Sequence, residues 1–352
     1  MDGTHDPGLS CWVASAAGHD QFPIQNLPIG IFAPAGGRRR GGIAIGDSIL
    51  DMSGLLAGGL LAADAADAAS AATGDTLNPL LELGGRYRRA LRNRLSELLS
   101  DPRAEAHLRG CLHAAKDCTL HLPATVGDYT DFYAGIHHAE AVGALFRPDA
   151  PLLPNYKYVP IAYHGRASSI RASGATVRRP RGQIKLPDAP GPVYEPTKRL
   201  DFELELGIWV GPHTELGAPV PVCRAHEHIA GYCLLNDWSA RDIQTWEYQP
   251  LGPFLAKNFM TTVSPWIVTP EALEPFRIPQ PPRPSGDPRP LPHLWDEGDQ
   301  ARGGIDLDLE VNLRTEAMRQ SGSEPLRITA ANTRHLYWTA AQMLSHHTSG
   351  GC

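Results

Sequence analysis

Paired cysteines, long apolar runs, an excess of positive charge and nucleotide-binding glycine motifs are all missing from this 352-residue chain. Cys11, Cys111, Cys118, Cys223, Cys233 and Cys352 are scattered without a C-x-x-C pair, and no signal-peptide pattern precedes them. That usage fits reduced thiols and predicts a cytoplasmic protein. The most apolar stretch, Ile49 to Ala72, is broken by Asp51, Asp64 and Asp67 and is rich in Gly and Ala, so it makes no membrane span. A net charge of −6 argues against a nucleic-acid partner, which wants clustered Lys and Arg. The one basic run, "GGRRRGG" at Gly36–Gly42, reads as an exposed turn between glycines, with an anion site as the alternative. There is no internal repeat, no P-loop and no G-x-G-x-x-G.

What is there is ordinary globular material, 42% hydrophobic and 20% charged. At about 150 residues per domain the length predicts two domains. Short strands are expected at "IGIFA" and "GIAIGDSILDMSGLL", with a tight turn at Gly46–Asp47. The Ala/Gly/Asp stretch 57–75 has little to pack and reads as a loose helix or loop. Arg86–Ser100 places Tyr87, Leu91, Leu95, Leu98 and Leu99 at helical spacing with arginines between them, and Ser100 looks like the cap of a following helix. From about Leu120 the texture turns to short strands, turns and a proline-laden connection at 279–292. The division is set at 1–119 and 120–352. The fold class is mainly β (α+β), a small N-terminal β module before a larger β domain with short helices.

Three polar groupings stand out. "RLDFELELGIWVG" (Arg199–Gly211) alternates Asp201, Glu203 and Glu205 with apolar residues, which puts the three acids on one strand face. The plain reading is a solvated sheet face; "IDLDLEVNL" at Ile305–Leu313 alternates in the same way. "DWSARDIQTWEY" (Asp237–Tyr248) reads as a helix carrying Asp237, Arg241 and Gln244 on one face, with Trp238 and Trp246 buried on the other. "DYTDFYAGIHHAEAVGALF" (Asp128–Phe146) sets Asp131 and His138 about two helical turns apart, and an imidazole suits proton abstraction near neutral pH. Lys257 and Thr261 lie four apart in an otherwise apolar stretch, where a lysine must reach water or find a charged partner.

"DYTDFY", "NYKYVPIAYHGRASSI", "DFELELG", "AHEHIAGYCLLNDWSARDIQTWEYQPLGPFLAKNF" and "HHTSGGC" together resemble the fumarylacetoacetase (fumarylacetoacetate hydrolase) family. The resemblance covers most of the second domain and, more weakly, a small SH3-like module in the first. It implies an SH3-like N-terminal module followed by a β-roll or sandwich domain. It also implies a metal site of Asp131, Glu203, Glu205 and Asp237 for Ca²⁺ or Mg²⁺, and a second Mg²⁺ or monovalent cation near Lys257 and Thr261. Four carboxylates about 5 Å apart repel by roughly 3 kcal/mol per pair at an effective dielectric of 20, so such a cluster needs a counter-ion. The resemblance makes His138 the general base and Tyr133, Arg147, Tyr163, Arg241 and Gln244 the substrate contacts. Lys257 becomes the group that stabilises the carbon leaving group, and Asp201 stays an ordinary exposed acid. The implied reaction is hydrolysis of the β-diketone fumarylacetoacetate to fumarate and acetoacetate, the last step of tyrosine and phenylalanine breakdown. The implied partners are a small diketo acid and, in a homodimer, a second copy. The family continues beyond the H-H-x-x-x-G-C segment to a glutamate that orients the histidine, so a chain stopping at Cys352 is expected to cleave such substrates poorly.

Two other readings compete. One is an acylpyruvate or related diketone hydrolase, against which the long N-terminal module and "YHGRASS" weigh. The other is a non-catalytic metal-binding β domain, on which His138, Arg241, Gln244 and Lys257 would be coincidences.

Overall fold

The computed structural model describes residues 1–351, leaving out the side chains of residues 145 and 146; Cys352 lies outside the described residues. Strands and short helices alternate throughout, and the chain divides into two compact units. The first comprises Met1–Tyr129, Gly165–His213 and Glu227–Pro275, and the second Thr130–His164, Thr214–His226 and Phe276–Cys352.

In the first unit, Ile29–Pro34, Arg40–Ile45 and Ser48–Asp51 form an antiparallel meander extended by Leu112–Ala114. Gly46 takes φ +53° at the first central position of the Ile45–Ser48 hairpin, a place two-residue turns reserve for glycine. The free edge of Ile29–Pro34 is shared: Cys118–His121 pairs with its second half and Trp266–Ile267 with Ile29 and Gly30. The core contains Ile31, Ile43, Ile45 and Leu50, each under 2% exposed, and continues into the helix Gly85–Ser100 through Leu91, Leu95, Leu98 and Leu99.

Three sequence expectations change here. Ala63–Ala71 is a helix packed on Gly85–Ser100, with Ala68 and Ala69 fully buried. Alanine is the best helix former and lets two backbones approach closely, so small side chains were the means of packing and not a lack of it. Asp101, not Ser100, caps the turn at Pro102–Ala104 by accepting from Arg103 N–H. Arg88 and Arg92 are buried on the same helix face as the leucines. Arg88 Nη2 donates to Ile229 O at 3.1 Å and its Nε lies 3.6 Å from Glu271, while Arg92 donates to Thr4 Oγ1 and to the carbonyls of Gln25 and Asn26.

The second sheet of this unit runs Leu204–Val210, Ile229–Asp237, Thr261–Val263 and Ile170–Ala172, antiparallel except for the last pair, which is parallel. In the second unit, Thr130–Phe132 pairs with Ala162–His164 ahead of the helix Ile136–Phe146, and Asp308–Leu313 pairs with Leu326–Asn332. Residues 279–291 form no helix or strand, as their prolines require. Trp338, Tyr156 and Leu294 are buried there, and the Arg283 guanidinium stacks 4.2 and 4.4 Å from the rings of Tyr337 and Trp338. The five described cysteines are free thiols.

Candidate active site

Three of the acids picked out of the sequence meet in the first unit because two strand ends meet. The chain runs Leu200–Asp201 as a short strand against Ser239–Ala240, breaks at Phe202–Glu203, and resumes as Leu204–Val210. At the break, Asp237 N–H donates to Glu203 O at 3.1 Å and Glu203 N–H donates to Asn236 Oδ1 at 3.1 Å. Glu203 is thereby pinned beside the last residue of the Ile229–Asp237 strand. Asp237 is only 1% exposed, and Glu203, Glu205 and Asp237 each present an oxygen within 4.8 Å of the others.

Asp237 therefore ends a strand, and the helix starts only at Arg241. The i, i+4, i+7 pattern expected of one helix face is produced by a strand end, the short strand Ser239–Ala240 and a helix of seven residues. Trp246 is 43% exposed and its indole N–H donates to Gln183 at 3.0 Å, so the expected buried tryptophan face is absent on that side.

Two cations hold the acids. Lys257, 8% exposed, donates through Nζ to Asp237 Oδ2 at 2.7 Å and also to Glu203 Oε2. The Arg241 guanidinium reaches Glu203 Oε1 at 2.7 Å, Asp201 Oδ2 at 2.8 Å and Gln244 Oε1 at 3.0 Å. Thr261, opposite Asp237 in the sheet, donates to Asp237 Oδ1 at 3.2 Å. Asp201 is thus a partner of Arg241 and not the bare acid expected from the sequence. Burial pushes the Glu203 carboxyl up, and Lys257 and Arg241 outweigh it to hold the group below its ordinary value. Burial likewise pulls the Lys257 ammonium down, and Asp237 and Glu203 more than reverse it, so this lysine stays charged.

In the second unit Asp131 sits on a strand directly opposite Tyr163, and Tyr133 follows one residue beyond its end. Asp131 and His138 share no helix, because the helix begins at Ile136. His138 is exposed on its first turns and its ring lies edge-on to Tyr133 at 5.6 Å, while Tyr133 is edge-on to buried Tyr156 at 5.9 Å. Arg147 is exposed and donates to Pro151 O at 3.0 Å. Glu140 lies 3.9 Å from His137, and Glu247 accepts from Phe254 and Ala256 N–H, clasping the loop before Lys257.

Among the described residues of the first unit, Glu203, Glu205 and Asp237 make up a carboxylate group that can hold a metal ion. The donor set is all oxygen and all anionic, which fits a hard divalent cation. These acids collect a lysine, an arginine and a threonine hydroxyl at a partly buried sheet end.

The family model described as fumarylacetoacetate (FAA) hydrolase C-terminal matches residues 129–352, and that described as fumarylacetoacetase N-terminal matches 25–123. Fumarylacetoacetase of Homo sapiens is 46% identical over 341 residues, 94% of this chain and 78% of that protein, and fumarylacetoacetase of Oryza sativa subsp. japonica is 42% identical over 361 residues, 100% and 81%. A solved fumarylacetoacetate hydrolase from psychrophilic Exiguobacterium antarcticum aligns over 92% of this chain and 82% of its own with a TM-score of 0.47 and 16% identity. The chain belongs to the fumarylacetoacetate hydrolase family.

Proposed function

We propose that this chain hydrolyses the carbon–carbon bond of fumarylacetoacetate, a small diketo acid, to give fumarate and acetoacetate. The observation that carries the reading is the buried Lys257 ammonium bridging Glu203 and Asp237 beside Arg241, together with 46% identity to a fumarylacetoacetase over 94% of the chain. Asp131, Glu203, Glu205 and Asp237 would hold a calcium or magnesium ion. When bound, that ion polarises the carbonyl under attack and offsets charge developing on its oxygen. His138 takes the proton of the attacking water, whose oxygen becomes part of the fumarate carboxylate. The electron pair of the broken bond goes to the acetoacetate carbon as an enolate, and Lys257 neutralises and protonates it. Tyr133, Arg147, Tyr163, Arg241 and Gln244 bind the substrate's carboxylates and carbonyls. Thr261 and Lys257 border a second, magnesium or monovalent, cation. The division into 1–119 and 120–352, the cytoplasmic location and the homodimer belong to the same reading.

The test follows loss of fumarylacetoacetate absorbance by purified protein with Ca²⁺ or Mg²⁺, beside metal binding measured by calorimetry. Cleavage in the wild type, however slow, that disappears along with metal binding in Glu203→Gln is the expected result. Metal-loaded, folded protein with no cleavage would refute it.

A further inference from the structure

The arginine run at Arg38–Arg40 contributes nothing to the acid site, yet its middle member lines a cavity of ≈ 590 Å³ within the first unit. We propose that this cavity binds a small organic carboxylate, one or two carboxylates on a short carbon chain. Arg39 comes from the turn between Ile29–Pro34 and Arg40–Ile45, and Arg171 from the Ile170–Ala172 strand. Among the described residues Arg39 has no hydrogen bond or ion pair, and Arg171 gives Nη1 only to the carbonyls of Ser168 and Ile170, at 3.0 and 2.7 Å. Two guanidinium groups therefore line one cavity without a carboxylate of their own. The single acid in the wall, Asp75, is exposed like the two arginines, and one carboxylate against two guanidinium groups leaves positive charge in excess.

His121 ends the Cys118–His121 strand in the same wall, and its Nε2 is buried with no hydrogen-bond partner. Burial, and then Arg39, hold its pKa below the ordinary value, so a neutral ring is available to donate one N–H. A buried polar atom left unpaired is costly, and a bound oxygen would remove that cost. Leu122, Val126 and Ile170 supply an apolar wall that also belongs to the core beneath. Guanidinium forks and an apolar wall lining one cavity suit a carboxylate on carbon better than inorganic phosphate, which has no apolar part. The volume falls in the ordinary range for small-molecule sites.

The probe is succinate, titrated calorimetrically into metal-free Arg241→Gln protein to weaken the acid site's contribution, with phosphate and succinamide in parallel. Succinate is expected to bind, succinamide not, and phosphate at least about tenfold more weakly. Adding Arg39→Gln or Arg171→Gln should weaken succinate about tenfold, the worth of one charge-assisted hydrogen bond, whereas Arg38→Gln should change nothing. Arg171→Lys guards against loss of the local carbonyl contacts, and circular dichroism checks the fold of each variant. Succinate affinity unmoved by Arg39→Gln and Arg171→Lys, equal binding of succinamide, or phosphate binding as tightly as succinate would each overturn the proposal.

Discussion

At the scale of single residues, Asp201 carries the most specific consequence. Its Oδ2 accepts from Arg241 Nε and its Oδ1 from Phe202 N–H at 2.9 Å, so it fixes the guanidinium that also faces Glu203 and Gln244. Removing it with Asp201→Ala should lower kcat/KM for fumarylacetoacetate by about tenfold, mainly through KM, because a charge-assisted hydrogen bond that positions a binding group is lost. Steady-state kinetics decide: an unchanged KM would make Asp201 surface decoration after all. Lys257→Ala should act the other way, depressing kcat more than it raises KM, since in the proposed mechanism its charge meets negative charge that forms only as the bond breaks. Asp299 sets a pH dependence elsewhere. Burial raises its carboxyl from 3.8 to about 6, although Thr339 Oγ1 donates to it at 2.8 Å. The folded-state value exceeds the unfolded one, so the ionised form destabilises the fold. That penalty is full above pH 6, shrinks as the pH falls through 6, and is gone below 3.8. Asp299→Asn should therefore stabilise the protein by up to about 3 kcal/mol at pH 8 and by nothing near pH 3.5, read from denaturant titrations at the two pH values.

At the scale of elements, the helix Ala63–Ala71 owes its place to the absence of side-chain bulk. Ala68→Leu should cost about 1–3 kcal/mol by forcing it off Gly85–Ser100, measured as a lower thermal midpoint with unchanged metal affinity. This element was illegible in the sequence because alanine carries almost no hydrophobic contrast, so its periodicity is faint. Gly85–Ser100 was legible through its leucines, and the burial of Arg88 and Arg92 had a readable sign: they fall three residues before and one after Leu91, on the buried stripe. The strand meander around Gly46 was legible because turn chemistry is local. Glu203 and Asp237 were placed on a strand and a helix by spacing alone. Their meeting depends on hydrogen bonds between Glu203 and the Asn236–Asp237 end, contacts across some 30 residues of sequence that no local pattern records. Motif resemblance supplied what periodicity lacked, and it still missed Asp201, because Arg241's other partner is set by the Leu200–Asp201 pairing with Ser239–Ala240.

At the scale of the molecule, the first unit is drawn from three separated stretches of chain, and buried charge ties them. Arg88, from the N-terminal stretch, meets Glu271 and the Ile229 carbonyl, both from the last. Arg88→Ala should destabilise by up to about 3 kcal/mol because it leaves the nearly buried Glu271 only the exposed Arg89, 3.8 Å away, as a cation, while Arg88→Met with Glu271→Gln should recover much of the loss. Equal denaturation midpoints for the single and double variants would show that the pair contributes through packing alone.

The split edge of Ile29–Pro34 has its own consequence for how the protein is made. Cys118–His121 can cover the second half of that strand soon after it leaves the ribosome, but Ile29 and Gly30 wait for Trp266–Ile267. At about 5–20 residues per second the interval from His121 to Trp266 lasts roughly 7–30 s. Throughout that interval the nascent chain carries an open strand end at Ile29 and Gly30, a natural landing place for a chaperone that recognises extended apolar backbone.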